Sequence, residues 1–264
     1  MFDYTATEKL LSKRVILITG AGAGIGRAAA ICCARLGATV ILLGRTLEKL
    51  EAVYDEIESA GYGKPAIYPL DLCTAKDEDY VELADVLAGE FGCLDGLVHN
   101  ASILGQITPI SDYESRTWRL VMHVNVTAPF MMTQALLPLL QASKDASIIF
   151  TSSGVGAKGK AYWGAYSASK FATEGLAQVL AEETENTSKI RVNIINPGAT
   201  RTNMRAQAFP GEDPALNLAP EDIMPTYQYL LGPDSLGVTG QRFNAQEMLK
   251  PKTANPTPSE AKGQ

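Results

Sequence analysis

Residues 14–26 read RVILITGAGAGIG, an apolar β-branched run that passes directly into a turn containing four glycines. The run Arg14–Thr19 suits a strand buried on both faces of a parallel sheet. Gly20, Gly22, Gly24 and Gly26 follow it, and residues 27–36 have helical character. A strand, a glycine turn and a helix bring backbone N–H groups and a helix N-terminus up to a pyrophosphate. Glycine is required there because a Cβ would block close approach and forbid the backbone angles. The G-x-G-x-x-G spacing fails, since Ile25 stands where its last glycine would fall. T-G-x-x-x-G-x-G fits instead, from Thr19 to Gly26.

Strand-like and helix-like segments alternate from this point onward. Strands are expected at 14–19, 39–44, 66–70, 95–100, 146–152, 190–195 and 240–244. Helices are expected near 24–37, 46–60, 76–92, 113–141, 161–187 and 220–231. This alternation predicts an α/β fold: a single-domain, Rossmann-type, doubly wound parallel sheet with helices on both faces. The domain should span residues 1–249. Residues 250–264 carry no aliphatic side chain larger than alanine and are expected to be a disordered tail.

Cofactor choice is read at the end of the second strand. An NAD site commonly places Asp or Glu there to bind the ribose 2′-hydroxyl. This chain has Gly44-Arg45-Thr46. No carboxylate repels a 2′-phosphate, and Arg45 offers a planar fork that matches one. Arg45 could also be an ordinary surface residue, so NADP(H) is preferred and NAD(H) stays possible.

Tyr166 and Lys170 lie four residues apart in AYSASK, on one helix face, with Ser153 thirteen residues before the tyrosine. A free phenol, with a pKa of about 10, relays protons poorly at neutral pH. A neighbouring ammonium should lower that value and fit Tyr166 to exchange a proton with a carbonyl or alcohol. Ser152 is an alternative hydroxyl, although the spacing favours Ser153.

Together these motifs resemble the short-chain dehydrogenase/reductase family over roughly residues 10–245. Further matching pieces are Asp71-Leu72, His99-Asn100-Ala101-Ser102, Asn125 in HVNVTAPF, TSSGVG at 151–156, and Pro197-Gly198 in INPGATRT. Within the family, YWGAYSASKFATEG and TRTNMRAQAFPGEDP resemble the YciK-like bacterial oxidoreductases. The resemblance implies roles. Tyr166 would be the general acid/base, with Lys170 lowering its pKa and holding the nicotinamide ribose. Ser153 would bind the substrate oxygen. Asn125 would interrupt its helix and seat a water that links Lys170 to solvent. Gly20, Gly24, Ile25 and Gly26 would follow the phosphates, with Asp71 and Leu72 near the adenine. Asn100 would lie at the adenosine ribose, and Thr202, Pro197 and Gly198 at the nicotinamide. From the residues alone, Asp71 also reads as a turn former and Thr202 as a helix N-cap. Many relatives carry paired glycines after the last strand, where this chain has Ala245-Gln246.

Bulk properties narrow the partners. The net charge is −6, from 23 basic and 29 acidic residues, with no basic cluster to neutralise nucleic acid. Two histidines, and four cysteines without a C-x-x-C pair, give no metal signature. The start MFDYTATEKL predicts no signal peptide, and Pro129 and Pro138 should break the longest apolar run, so no membrane span is expected. A cytoplasmic enzyme is the simplest reading. The segment 201–220, with Met204, Phe209, Leu216 and Leu218, should form a lid over a mainly apolar substrate; Arg201 and Arg205 could select a carboxylate there. Apolar stripes on the helices at 113–141 and 161–187 suit a homodimer or homotetramer, or plain core. The leading expectation is hydride transfer between NADP(H) and a small-molecule carbonyl or alcohol. A nucleotide-sensing or interaction protein, or an enoyl reductase or epimerase, could use the same fold.

Overall fold

Ile16 and Ile18 of the first strand face one apolar cluster and Leu17 faces another, so this strand is buried from both sides. The second strand repeats the pattern, with Val40 and Leu42 against Ile41 and Leu43. Such strands need helices above and below them. The computed structural model describes residues 4–247. Among these residues, β1 (Val15–Thr19), β2 (Thr39–Gly44), β3 (Ala66–Pro69), β4 (Gly96–His99), β5 (Ala146–Thr151), β6 (Ile190–Asn196) and β7 (Arg242–Asn244) form one sheet. All its pairings are parallel, in the order β3-β2-β1-β4-β5-β6-β7. The expected doubly wound, single-domain architecture is therefore present. The expected disordered tail at 250–264 lies outside the described residues.

Helices α1 (Gly24–Arg35), α2 (Leu47–Ser59) and α8 (Met224–Leu231) supply one core cluster. Helices α3 (Asp77–Phe91), α5 (Ala128–Ala142) and α6 (Gly164–Glu185) supply the other. Two shorter helices complete the set, α4 (Ser115–Met122) and α7 (Asn203–Ala208).

Several boundaries differ from the sequence expectation. The helix expected over 113–141 is α4 and α5 joined by a π turn at His123–Thr127. The one expected over 220–231 opens with a 3-10 turn, Pro220–Ile223, before α8. Pro129 and Pro138 do not break the apolar run. Pro129 sits in the first turn of α5, where its missing N–H costs little, and Pro138 lies inside the helix. Ser115–Ala142 is thus long and apolar enough to cross a membrane by length and composition. Its Val124, Met132, Leu136 and Leu140 nonetheless pack into the core beside the sheet.

Charged side chains tie the N-terminal ends of four strands together. Asp145, before β5, accepts from Arg14 Nη1 at 3.0 Å and from Arg191 Nε at 2.8 Å. Arg191 also reaches the Leu230 carbonyl and Ser235. Asp95, before β4, accepts from Val15 N and from Ser143 Oγ. Burial pushes the Asp145 carboxyl up, but the two guanidinium groups outweigh it and hold the group below 3.8. A depressed folded-state value contributes stability above the ordinary carboxylate range, and that stability is lost as pH falls through the folded value. Replacing Asp145 with Ala leaves Arg191 buried without its counter-charge and should cost about 3 kcal/mol. Thermal unfolding at neutral pH should show a drop of about 6 °C or more, shrinking toward zero in acid; an unchanged midpoint at pH 7 would remove Asp145 from the anchor.

Candidate active site

At the junction of β1 and β4 the chain order of the sheet reverses, which opens a crevice beyond the strand ends. The buried Thr19 hydroxyl bridges that junction. It donates to the Val98 carbonyl at 3.2 Å and accepts the N–H groups of Asn100 and Ala101, both at 3.0 Å. Asn100 Nδ2 returns a bond to the Thr19 carbonyl at 3.0 Å. Gly20 and Gly24 then adopt left-handed backbone angles, φ +69° and +54°. A Cβ at Gly26 would strike the Gly20 carbonyl, so this glycine lets the turn fold back on itself behind the cavity wall.

Two cavities meet at this turn, sharing Gly20, Ala23, Ala101 and Ser102 as walls. The smaller, of about 270 Å³, is bordered by Arg45, Lys49, Asp71, Leu72 and Cys73. The larger, of about 520 Å³, is bordered by Gly24, Ile25, Asn100, Ser153, Tyr166, Lys170, Pro197, Gly198 and Thr202. The geometry suits a long dinucleotide, with cations at one end and a buried phenol and amine at the other. Two expected site residues, Gly26 and Asn125, stand behind these walls. Asp71 also serves as a turn former, its Oδ1 accepting the Cys73 N–H at 3.0 Å.

Tyr166 and Lys170 lie in the first two turns of α6, and both are buried. Lys170 Nζ donates to the Thr151 carbonyl at 2.8 Å and sits 5.5 Å from the centre of the Tyr166 ring. Burial pulls the lysine down to about 8, and the Glu174 carboxylate partly opposes that shift. Burial pushes the tyrosine up to about 12, against hydrogen bonds from the Ser153 and Ser102 hydroxyls. Against the expectation that Lys170 acidifies it, the phenol is raised here by its desolvation. Of the two serines, Ser152 Oγ is engaged by Glu174 at 2.5 Å, whereas Ser153 Oγ accepts the Val155 N–H at 3.4 Å and acts on the Tyr166 phenol.

Asn125 lies inside the π turn, as an interruption of the helix would have it. Its amide is occupied by the backbone of Ile103, at 2.9 and 3.0 Å, and by Ser169 Oγ at 3.0 Å. The side chain thus braces the loop after β4 against α6. Gln246 donates to the carbonyls of Pro197 and Ala199 at 2.9 and 2.8 Å. It grips the loop that bears Gly198, where an added Cβ would collide with it.

The segment after β6 forms a closed loop over the larger cavity. Its ends pair at Thr200 and Leu218. Thr202 caps α7, its hydroxyl accepting from Arg205 N at 3.2 Å. Arg205 grips Glu212 with two bonds of 2.6 Å and stacks 3.8 Å from the centre of the Phe209 ring. Its fork is therefore filled and unavailable for a substrate carboxylate. Phe209 packs 5.7 Å from Trp163, which lies 5.7 Å from Tyr166. Glu174, Gln246 and Lys49 are site neighbours beyond those expected from sequence: Gln246 reaches the Pro197–Ala199 loop from beyond β7, while Glu174 and Lys49 lie one helical turn after Lys170 and Arg45, a spacing that solvated surface charges share.

Known proteins share the fold and much of the sequence. A family model described as short chain dehydrogenase matches residues 14–213. The oxidoreductase YciK of Escherichia coli K12 is 52% identical over 248 residues, covering 94% of this chain and 98% of that protein. A short chain dehydrogenase structure from Pseudomonas syringae aligns with a TM-score of 0.92 at 59% identity, over 93% of this chain and 100% of that one. Another, from Escherichia coli CFT073 and complexed with NADPH, aligns with a TM-score of 0.89 at 53% identity, over 91% and 100%. With the glycine turn, the sheet order and these likenesses in agreement, the chain belongs to the short chain dehydrogenase family of oxidoreductases.

Proposed function

We propose that the protein is an NADP(H)-dependent reductase acting on a carbonyl group carried by a mainly apolar small molecule, or on the corresponding alcohol in reverse. The observation that carries this reading is the convergence of Ser153, Tyr166 and Lys170 on a cavity that continues, past the glycine turn, to the cations Arg45 and Lys49. The NADPH complex of the Escherichia coli CFT073 relative supports the cofactor. Arg45 would hold the 2′-phosphate. Gly20, Gly24 and Ile25 would line the phosphates, Asp71 and Leu72 the adenosine half, Asn100 the passage between the two cavities, and Pro197, Gly198 and Thr202 the nicotinamide half. When bound, the reduced nicotinamide supplies a hydride to the carbonyl carbon.

The chain's own groups handle the oxygen and the proton. Ser153 donates a hydrogen bond to the carbonyl oxygen and stabilises the charge that develops there. Tyr166, whose phenol burial holds toward its protonated form, gives its proton to that oxygen. The resulting phenolate is held by the Ser153 and Ser102 hydroxyls and by the Lys170 ammonium until solvent reprotonates it. Asn125 acts from behind the wall by fixing Ser169 and the Ile103 backbone. Leu104, Trp163, Met204 and Ala208 give the substrate side its apolar character.

Helices α5 and α6 expose Phe130, Phe171 and Val179, an apolar face suited to a homodimer or homotetramer. The described cysteines are all free, which suits a reducing cytoplasm.

Tyr166→Phe should bind NADPH as the wild type does and reduce a model carbonyl at least about 100-fold more slowly; steady-state kinetics beside a thermal shift assay read both, and retained turnover would remove Tyr166 as the proton donor. NADPH at about a hundred times its Kd should add about 2.7 kcal/mol to the stability. NADH at the same concentration should add less, and Arg45→Ala should erase the difference. Equal shifts in the wild type would show that Arg45 does not read the phosphate.

A further inference from the structure

Behind Ser153 lies a charged pair with no role in the steps above. Glu174, one turn beyond Lys170 on α6, is buried. Its carboxylate accepts from Ser152 Oγ at 2.5 Å and from Arg242 Nε at 3.0 and 3.1 Å. Arg242, on β7, also donates from Nη2 to the Ser153 carbonyl at 3.1 Å and from Nη1 to Asn244 Oδ1 at 2.9 Å. Asn244 Oδ1 in turn accepts from Asn196 Nδ2 at 2.9 Å, and Asn196 Oδ1 accepts the Gly198 N–H at 3.2 Å. One guanidinium thus grips the serine backbone and, through two asparagines, the loop bearing Gly198. The packing is close: a Cβ at Gly156 would lie 2.6 Å from Ser152 Oγ and 2.9 Å from Glu174 Oε1.

We infer that Glu174 and Arg242 form a positioning pair for the reaction, fixing Ser153 against Tyr166 and holding a negative charge one helical turn from Lys170. Both act through other residues and touch neither substrate nor cofactor. Stability alone gives little reason for such a pair, in which Glu174 is buried and Arg242 part-buried, since taking a carboxylate out of water offsets much of what the pairing gains. What an apolar pair could not do is grip the Ser152 hydroxyl and the Ser153 carbonyl together, or place a charge beside the lysine.

The groups around Lys170 define the electrostatic half of the inference. Its own helix presents Tyr166 and Glu174, the end of β5 presents the neutral Thr151 carbonyl, and β7 presents Arg242 on the far side of Glu174. Glu174 opposes the downward shift that burial imposes on the lysine. Neutralising Glu174 should therefore lower the Lys170 titration midpoint, because the ammonium loses its nearby counter-charge.

The kinetic consequence rests on the reductase reading, whereas the lysine titration does not. The full-length chain, labelled with 13C at lysine Cε, is titrated by NMR as wild type, Glu174→Gln, Arg242→Gln and Arg242→Lys, with Lys170 identified by the signal missing in Lys170→Met. The same proteins are assayed with NADPH and a carbonyl substrate across pH. Glu174→Gln should lower the Lys170 midpoint by about half a unit or more. It should reduce kcat about tenfold, leave the KM for NADPH within about twofold, and move the alkaline limb of kcat to lower pH. Arg242→Lys should recover part of the rate lost in Arg242→Gln. A Lys170 midpoint and an alkaline limb unchanged in Glu174→Gln, in protein with a wild-type NADPH thermal shift, overturn the inference. A wild type that reduces no carbonyl counts against the reductase reading, while a lowered midpoint in Glu174→Gln still supports the electrostatic role of the pair.

Discussion

The hydroxyl of Thr19 holds together the place on which the site depends. Where β1 and β4 part, the backbone N–H groups of Asn100 and Ala101 lose the strand partners they would otherwise have. Buried N–H groups left without acceptors are costly, and one threonine oxygen satisfies both. The strands can therefore separate without penalty at the point where a dinucleotide would enter. Everything on the cavity walls is placed relative to that opening. The glycine turn leaves β1 on one side, the Asn100–Ser102 segment leaves β4 on the other, and Ser153 leaves β5 next to it.

Desolvation dominates the chemistry of the larger cavity. Tyr166 is raised and Lys170 lowered by the same burial, so each is pushed toward its neutral form. In the proposed reaction a phenol in this state would give its proton to a developing alkoxide. The hydroxyls of Ser102 and Ser153 act on the opposite side of the balance, since their hydrogen bonds favour the phenolate once it forms. Two residues four positions apart on a helix could not reveal this, because the spacing brings tyrosine and lysine together but says nothing about the medium between them.

The features legible in the sequence are those whose physics is local. The T-G-x-x-x-G-x-G turn, the apolar strands and the Tyr166–Lys170 spacing each follow from a few consecutive residues, and with them came the sheet and the cavity wall. Arg45 could be placed because it directly follows a strand. The brace by Asn125, the grip of Gln246 on the Pro197–Ala199 carbonyls and the Glu174–Arg242 pair join segments far apart in the chain. No pattern within a window encodes them. Pro129 and Pro138 misled for the opposite reason. Their local rule forbids a helix interior, yet the π turn resets the helix just before Pro129, and tertiary packing carries α5 through Pro138.

The strands also separate two kinds of charge along their length. The Asp145, Arg14 and Arg191 anchor stands where the strands begin, and the cavity groups stand where they end. A strand of β5's length spans about 20 Å, well beyond the range over which substitutions usually influence one another. Loss or gain of stability at the anchor is therefore insulated from the geometry of the reacting groups. Such a chain can accumulate changes in the loops around its cavity, and so acquire new substrates, while an undisturbed ionic foundation at the opposite end keeps it folded.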